Sequence, residues 1–316
     1  MIPHESITSP ANERVRRTAR LRDASARRET GLTLVDGRRE LARAAAAGVE
    51  IPEVFVAAAL VGPRPTAGGA GDERPGHASA VPDDLLVTLA ARGTRITALA
   101  ERPFAKVAFG DRDEGVVGVV RMPTATLARL ACRPDRPVLV IEGVEKPGNL
   151  GAILRTADAA GLAAVIVCDG RTDPANPAVI RASLGTVFSV PLAVTTTAEA
   201  IDWCRGHGRR VVAATPAGAR PWHEARLAGE VALVLGSEAH GLSPRWAEAA
   251  GRGLPLETVR LPMCGAADSL NLSATAAVLA YESLRQAAAR TDGGAAGSPP
   301  HQPRNEGPQD VQRTGR

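Results

Sequence analysis

Three segments of the sequence carry polar side chains at spacings that could do chemistry. In the first, residues 142–161, a glycine-containing turn leads into a helix whose apolar residues recur at helical spacing, with Asn149 as its predicted N-cap. A strand followed by a glycine turn and a helix can bind an anion, because the free N–H groups of the first turn point at the ligand. Arg155 lies further along this helix; taken alone, it is typical of a surface ion pair.

The other two segments lie nearer the C-terminus. A hydrophobic strand at 231–237 runs into G-S-E-x-x-G-L, so Glu238 follows a predicted buried strand. Open parallel sheets bind ligands at the carboxyl ends of their strands, although Glu238 could equally begin an ordinary turn. Residues 260–282 form a loop of small residues and then Ser269-Leu270-Asn271, where Ser and Asn are typical helix caps.

Composition indicates an ordinary globular chain. Of 316 residues, 44% are hydrophobic and 23% are charged, and the length allows about two domains. The four cysteines are isolated, so no metal site is expected. We find no apolar run of about 18 residues, the length of a membrane span, and no signal peptide, and therefore predict a soluble cytoplasmic protein with no membrane partner.

The basic residues are almost all arginines, since Lys106 and Lys146 are the only lysines. Ten of the arginines fall between Arg14 and Arg43, and helical spacing puts Arg16, Arg20 and Arg27 close to one face. The planar guanidinium suits phosphate because it donates two parallel hydrogen bonds. From charge alone, RNA binding and a merely solvated helix face stay open.

Hydrophobic patterning divides the chain in two. Residues 1–122 are predicted to form a basic helical arm over 1–30 and a small α/β domain, interrupted by a disordered loop at 61–81. The domain's expected elements are strands at 31–37, 53–60 and 115–123 and helices at 38–48 and 81–93. A linker over 123–135 follows.

The second predicted domain spans residues 136–290, and residues 291–316 are expected to be a disordered tail. Non-alternating runs of Val, Ile and Leu indicate a parallel sheet buried on both faces. Its expected strands are 138–143, 164–170, 187–194, 210–216, 231–237 and 258–263. The last helix, about 269–289, carries an apolar stripe; the stripe consists of Leu270, Ala274, Ala277, Val278, Tyr281 and Leu284.

Taken in order, N-x-G-x-x-x-R-T, L-G-S-E-x-x-G-L and L-P-M-x-G-x-x-x-S-L-N resemble the motifs of the SpoU (TrmH-type) branch of the SPOUT RNA methyltransferases, over residues 140–285. The N-terminal pattern is similar to the RNA-binding domain that such enzymes often carry, which resembles a small ribosomal protein. The resemblance implies an α/β fold, with a parallel-sheet SPOUT domain that ends in a trefoil knot and a smaller α/β RNA-binding domain before it. It also implies a homodimer that transfers methyl from S-adenosyl-L-methionine to a ribose 2′-hydroxyl, with ribosomal RNA as the expected substrate and no DNA.

The same resemblance implies roles for individual residues. Arg155 would be the central catalytic residue. The other polar motif positions are Asn149, Glu238, Ser269 and Asn271. The cofactor would be held largely by backbone groups of Thr215, Gly236, Leu261 and Leu270. RNA would be bound by Arg16, Arg17, Arg20, Arg38 and Arg39.

Two other functions fit parts of the sequence. A dinucleotide-binding oxidoreductase would need a phosphate-binding glycine fingerprint and an acidic residue about 20 positions later. Asp169 lies 18 positions after Gly151, but the glycine pattern is missing. A noncatalytic RNA-binding protein on the same scaffold is disfavoured by intact Arg155, Glu238 and Asn271. Calorimetry separates these possibilities, since S-adenosylmethionine, NAD or neither should bind.

Overall fold

A computed structural model describes residues 5–60, 83–109 and 114–292. The expected disordered loop at 61–81 and all but the first two residues of the expected tail lie outside the described residues. None of the described helices is both long and apolar enough to cross a membrane.

The first sheet has five strands in the order β1-β4-β3-β5-β2. β5 runs antiparallel to both β2 and β3, while the β1–β4 and β3–β4 pairs are parallel. The elements are β1 (Glu5–Ile7), α1 (Glu13–Arg20), α2 (Ala24–Thr30), β2 (Leu32–Asp36), α3 (Arg38–Ala46), β3 (Glu53–Ala57), α4 (Asp83–Ala91), β4 (Arg95–Leu99), α5 (Glu101–Val107) and β5 (Val116–Arg121).

The second sheet has seven parallel strands in the order β10-β12-β9-β11-β6-β7-β8. The elements are β6 (Val138–Glu142), α6 (Pro147–Ala160), β7 (Ala164–Cys168), α7 (Pro177–Ala182), β8 (Leu192–Thr195), α8 (Thr197–Gly206), β9 (Arg210–Ala214), β10 (Arg220–Pro221), β11 (Val231–Leu235), α9 (Arg245–Gly251), β12 (Leu256–Arg260) and α10 (Leu272–Asp292).

Every residue of β6, β7 and β11 is buried, as their unbroken apolar sequences predict. The chain order reverses between β6 and β11, because β7 and β8 extend the sheet on one side of β6 and β11 lies on the other. In open α/β sheets such a reversal opens a crevice at the carboxyl ends of the two strands. The turn after β6 and the loop after β11 therefore face each other. The chain crossing that a trefoil knot requires stays a prediction.

Several predicted elements were wrong in extent or kind. The expected strand at 187–194 is a 3-10 turn at Thr186–Phe188, and only then β8, because Pro191 intervenes. The last strand ends at Arg260, two residues before Pro262, rather than running to 263. The last helix begins at Leu272 instead of 269. The sequence pattern also failed to predict β4, α5 and β10, and β1 lies within the arm that was expected to be helical.

The last helix buries a different face from the predicted stripe. Its buried apolar residues are Leu272, Ala276, Leu279 and Ala280, and Glu282 and Ser283 are buried with them. The predicted stripe lies on the outer side, where Tyr281 is 52% exposed and Leu284 is 39% exposed, while Leu270 precedes the helix altogether. An apolar outer face of this kind is a candidate contact surface for another molecule.

The basic arm is not one helix. The first helix ends at Arg20, and α2 begins only after Asp23, whose backbone is extended. Arg27 consequently leaves the exposed face that it was predicted to share with Arg16 and Arg20. Its side chain is only 4% exposed and forms an ion pair of 2.8 Å with Asp173, which precedes α7 in the second region.

Arg27 therefore ties the two sheet regions together. Its guanidinium also donates to the backbone oxygens of Leu21 and Arg22, at 3.0 and 2.6 Å. Three further bonds cross the same junction, from Thr33 Oγ1 to the Ala175 oxygen, from Arg43 Nη1 to the Leu184 oxygen and from Arg181 Nη1 to the Phe109 oxygen. One apolar cluster also contains residues of both regions.

The Arg27→Ala substitution should lower the free energy of unfolding by about 2–4 kcal/mol, because it removes a buried, charge-assisted set of hydrogen bonds. Urea denaturation measures this. The exposed neighbour Arg28 provides the control, and Arg28→Ala should change stability by less than about 0.5 kcal/mol. Equal effects of the two substitutions would show that the junction does not depend on Arg27.

Candidate active site at the carboxyl ends of β6 and β11

Three chain segments that are far apart in sequence meet in the crevice. They are the turn from β6 into α6, the loop after β11, and the segment that joins β12 to α10. A pocket of about 190 Å³ lies among the last two and the end of β9. All four residues predicted to hold a cofactor line this pocket, together with Ser269; the four are Thr215, Gly236, Leu261 and Leu270.

The Glu238 carboxylate is the point at which the segments are joined. Its Oε1 accepts hydrogen bonds from Asn149 Nδ2 at 3.1 Å, Asn271 Nδ2 at 2.8 Å and the Leu272 backbone N–H at 3.3 Å. Its Oε2 accepts one from Lys146 Nζ at 2.8 Å. Asn271 Nδ2 also lies 3.1 Å from Asn149 Oδ1. Three of the five predicted polar site residues are therefore in direct contact.

These contacts set the charge of the carboxylate. The hydrogen bond from Lys146 and that from the Leu272 N–H lower the pKa of Glu238 from its ordinary value, and Glu238 in turn raises the pKa of Lys146. Glu238 is therefore an ionised acceptor at neutral pH and not a proton donor.

Local sequence explains how the two asparagines are placed. The helix α6 begins at Pro147, with Lys146 at the N-cap, so the prediction that Asn149 caps it was wrong. Asn149 instead lies inside the first turn and points its amide at the facing loop. Asn271 does cap α10, because its Oδ1 accepts from the Ser273 N–H at 2.9 Å.

The loop that carries Glu238 is held at both ends. At its start, a side chain on Gly236 would clash with the backbone of Gly241, 2.1 Å from the position a Cβ would occupy. At its end, the buried Glu142 carboxylate accepts from the Ser243 N–H and from Trp246 Nε1, both at 3.0 Å. Glu142 ends β6, so the strand that leads to Asn149 also anchors the loop of Glu238.

Arg155 lies apart from this cluster. It is exposed on α6 and lines neither the pocket nor the hydrogen-bonded group around Glu238. Within the described residues it makes no hydrogen bond or ion pair. Its guanidinium is thus free to contact another molecule.

The predicted RNA-binding arginines fall into two groups. Arg16, Arg17 and Arg20 are exposed on α1, and the latter two line a cleft of about 480 Å³ in the first region, as does Arg95. Arg38 and Arg39 begin α3 instead. Both side chains are engaged, since Arg38 Nη2 donates to the Glu114 backbone oxygen at 3.2 Å, and Arg39 forms an ion pair of 3.1 Å with Glu40.

Sequence reasoning assigned no site role to Lys146. The only local signal was its position before Pro147 in the turn, and its partner Glu238 lies 92 positions away. Among the described residues, no group of three His, Cys, Asp or Glu could hold a metal ion.

Comparison with known proteins supplies the family. The SpoU rRNA Methylase family matches residues 136–281, and the MRM3-like substrate binding domain matches residues 12–118. The chain is 28% identical over 277 residues to the 23S rRNA (guanosine(2553)-2′-O)-methyltransferase of Bacillus subtilis, covering 88% of this chain and 98% of that protein. The chain belongs to the SpoU rRNA methylase family.

Two solved structures are similar in fold to most of this chain. A crystal structure of an RNA 2′-O ribose methyltransferase is 37% identical with a TM-score of 0.73, covering 90% of this chain and 99% of that one. An AdoMet-bound rRNA methyltransferase from Sinorhizobium meliloti is 27% identical with a TM-score of 0.74, covering 89% and 97%. The likeness thus includes both sheet regions.

The Gly236→Ala substitution should lower the free energy of unfolding by about 1–3 kcal/mol, because the new methyl group would meet backbone that cannot move aside. Chemical denaturation measures this. Gly265, in the facing segment, has open space around its Cβ position, so Gly265→Ala serves as the control and should leave stability nearly unchanged. If the two variants were equally stable, the close approach at Gly236 would not be a real constraint.

Proposed function

We propose that this protein is an S-adenosylmethionine-dependent RNA 2′-O-ribose methyltransferase that acts on ribosomal RNA in the cytoplasm. One observation carries the proposal: the pocket formed by three loops borders the cluster of Glu238, Asn149 and Asn271 in a chain of the SpoU family. A relative that matches 88% of the chain is named as a ribose methyltransferase of 23S rRNA, which supports the same substrate class.

The pocket residues fit the cofactor. Gly236 lets the backbone approach closely, and the lining offers both apolar side chains and backbone groups, which suits a ligand with an adenine ring and a charged amino-acid end. Thr215, Gly236, Leu261 and Leu270 would hold it. When bound, S-adenosylmethionine supplies an electrophilic methyl group on sulfonium.

The residues around the pocket would prepare the ribose. A 2′-hydroxyl is a poor nucleophile until its proton leaves. Glu238, as an ionised acceptor, can receive a hydrogen bond from that hydroxyl and orient it. Asn149, Ser269 and Asn271 can hydrogen-bond the neighbouring sugar and phosphate oxygens.

Arg155 would act by charge rather than as a base, because a guanidinium keeps its proton at any ordinary pH. It can hold a phosphate of the target strand and stabilise the negative charge that develops on the ribose oxygen.

A homodimer would bring Arg155 to such a site. Arg155 of one copy lies away from that copy's own Glu238 cluster, so a second copy could supply it. The exposed apolar face of α10 provides a surface for that contact. The first region would bind RNA through the exposed Arg16, Arg17 and Arg20 of α1, of which the latter two line the cleft that Arg95 also lines. We propose no role for DNA or for a membrane.

The Arg155→Ala substitution should slow single-turnover methyl transfer at least about a hundredfold, because the charge that stabilises the reacting oxygen is removed. Isothermal calorimetry should find S-adenosylmethionine affinity within about twofold of the unaltered protein. Arg205→Ala, which removes an exposed arginine on α8, should leave the rate unchanged. Near-normal methyl transfer by the Arg155→Ala variant would contradict the proposed catalytic role of Arg155.

Replacing Arg16, Arg17 and Arg20 with Gln should weaken RNA binding and flatten its salt dependence, because each phosphate that is no longer neutralised lowers the slope by about one unit. Fluorescence anisotropy of a labelled rRNA fragment across a salt series measures both effects. A control carrying Arg205→Gln and Arg252→Gln, exposed arginines of the second region, tests for a general effect of charge. Unchanged slopes in the triple variant would indicate that α1 is only a solvated helix.

Sedimentation equilibrium at micromolar concentration should give about twice the chain mass of 32.7 kDa. Leu284→Glu should shift the protein toward monomer, because it places a charge in the apolar contact. Val87, 53% exposed on α4, provides the matched control, and Val87→Glu should remain dimeric. A monomer with full activity would contradict the proposed dimer.

A further inference from the structure

Lysine is rare in this chain. Of its 38 lysines and arginines, only Lys106 and Lys146 are lysines. The side chain of Lys146 is 71% exposed, yet its ammonium lies 2.8 Å from Glu238 Oε2. The amides of Asn149 and Asn271 occupy the other oxygen, Oε1. Each oxygen of the carboxylate thus has its own kind of donor, a cation on one side and neutral amides on the other.

A second pocket opens on the side of Lys146. It has a volume of about 230 Å³ and is lined by Lys146, Asn149 and Glu238, among others. Glu238 and Leu272 line both this pocket and the first one. The Glu238 side chain therefore forms part of the wall between the proposed cofactor pocket and a polar space next to it.

Other charged and titratable groups around Glu238 have different positions. Glu145 lines the second pocket but forms an ion pair of 3.0 Å with Arg171. Asp268 lines the first pocket, and His240 belongs to the same loop as Glu238. Among the described residues, Lys146 is the one cation that hydrogen-bonds to the Glu238 carboxylate.

We propose that Lys146 is a positioning residue for methyl transfer, whose ammonium holds the Glu238 carboxylate in place to accept a hydrogen bond from the ribose 2′-hydroxyl. This inference rests on the proposed function. A lysine suits the task because a compact ammonium binds one oxygen, whereas the guanidinium fork of arginine tends to take both oxygens of a carboxylate and would displace the two asparagines.

The test uses full-length protein, an rRNA transcript and S-adenosylmethionine, with Lys146→Gln, Lys146→Arg and Lys106→Gln. Lys106→Gln removes the only other lysine and is the matched control. Lys146→Gln should slow the single-turnover rate at saturating RNA about tenfold or more, with cofactor and RNA affinities nearly unchanged. Lys106→Gln should keep the full rate. Lys146→Arg should have an intermediate rate, because arginine restores the positive charge but does not bind the Glu238 carboxylate with the same geometry.

A pH titration separates positioning from a general structural effect. Lys146 lowers the pKa of Glu238, so Lys146→Gln should raise that pKa, and activity on the acidic side should disappear at a higher pH than in the unaltered protein. In Lys146→Arg, activity should be lost at the same acidic pH as in the unaltered protein. Carbon-13 NMR of glutamate-labelled protein without RNA reads the same pKa independently of activity, with the Glu238 signal identified by its absence in Glu238→Gln.

Three outcomes would overturn the inference. One is an unchanged rate in Lys146→Gln, and another is an unchanged Glu238 pKa. The third is weaker RNA binding with a flatter salt dependence but a normal rate at saturating RNA, which would make Lys146 a phosphate contact. If the unaltered protein transferred no methyl to rRNA, the proposed function would fail, while the NMR titration would still report on the Lys146–Glu238 contact.

Discussion

The Glu238 carboxylate accepts hydrogen bonds from residues near 146–149 and 271–272, which reach it only because the sheet brings their segments together. A partly exposed carboxylate can hold three chain segments when each of its oxygens has charged or amide donors. The strand order makes this possible, since β6 and β11 are neighbours and both end at the crevice. The pocket next to it takes its shape from the same meeting of loops.

Contacts outside the cluster support it on two sides. Glu142 fixes the end of the Glu238 loop from the end of β6, and Gly236 allows the loop to fold back on itself without a clash. On the far side, Arg27 and the shared apolar cluster hold the first region against α7. If the arginines of α1 bind RNA as proposed, this junction would align the bound strand with the site.

The sequence predicted those features that depend on local pattern. Unbroken apolar runs located β6, β7 and β11, and the resemblance of the three motifs to the SpoU family implied that Asn149, Glu238 and Asn271 belong to one site. Features that depend on distant partners were missed. Arg27 was expected on an exposed face because the pattern cannot show that its partner Asp173 lies 146 positions away. The outer face of α10 was predicted as its apolar stripe, since apolar residues occur on both sides of that helix and only packing decides which is buried.

The central claim is that the site methylates a ribose oxygen of ribosomal RNA, and mapping the product tests it most directly. Purified 23S rRNA incubated with the protein and S-adenosylmethionine should gain one phosphodiester that resists alkaline cleavage, because a methylated 2′-oxygen cannot attack the adjacent phosphorus. Arg155→Ala protein should leave that position cleavable. Methyl groups found only on bases, or no transfer to any ribosomal RNA, would contradict the account.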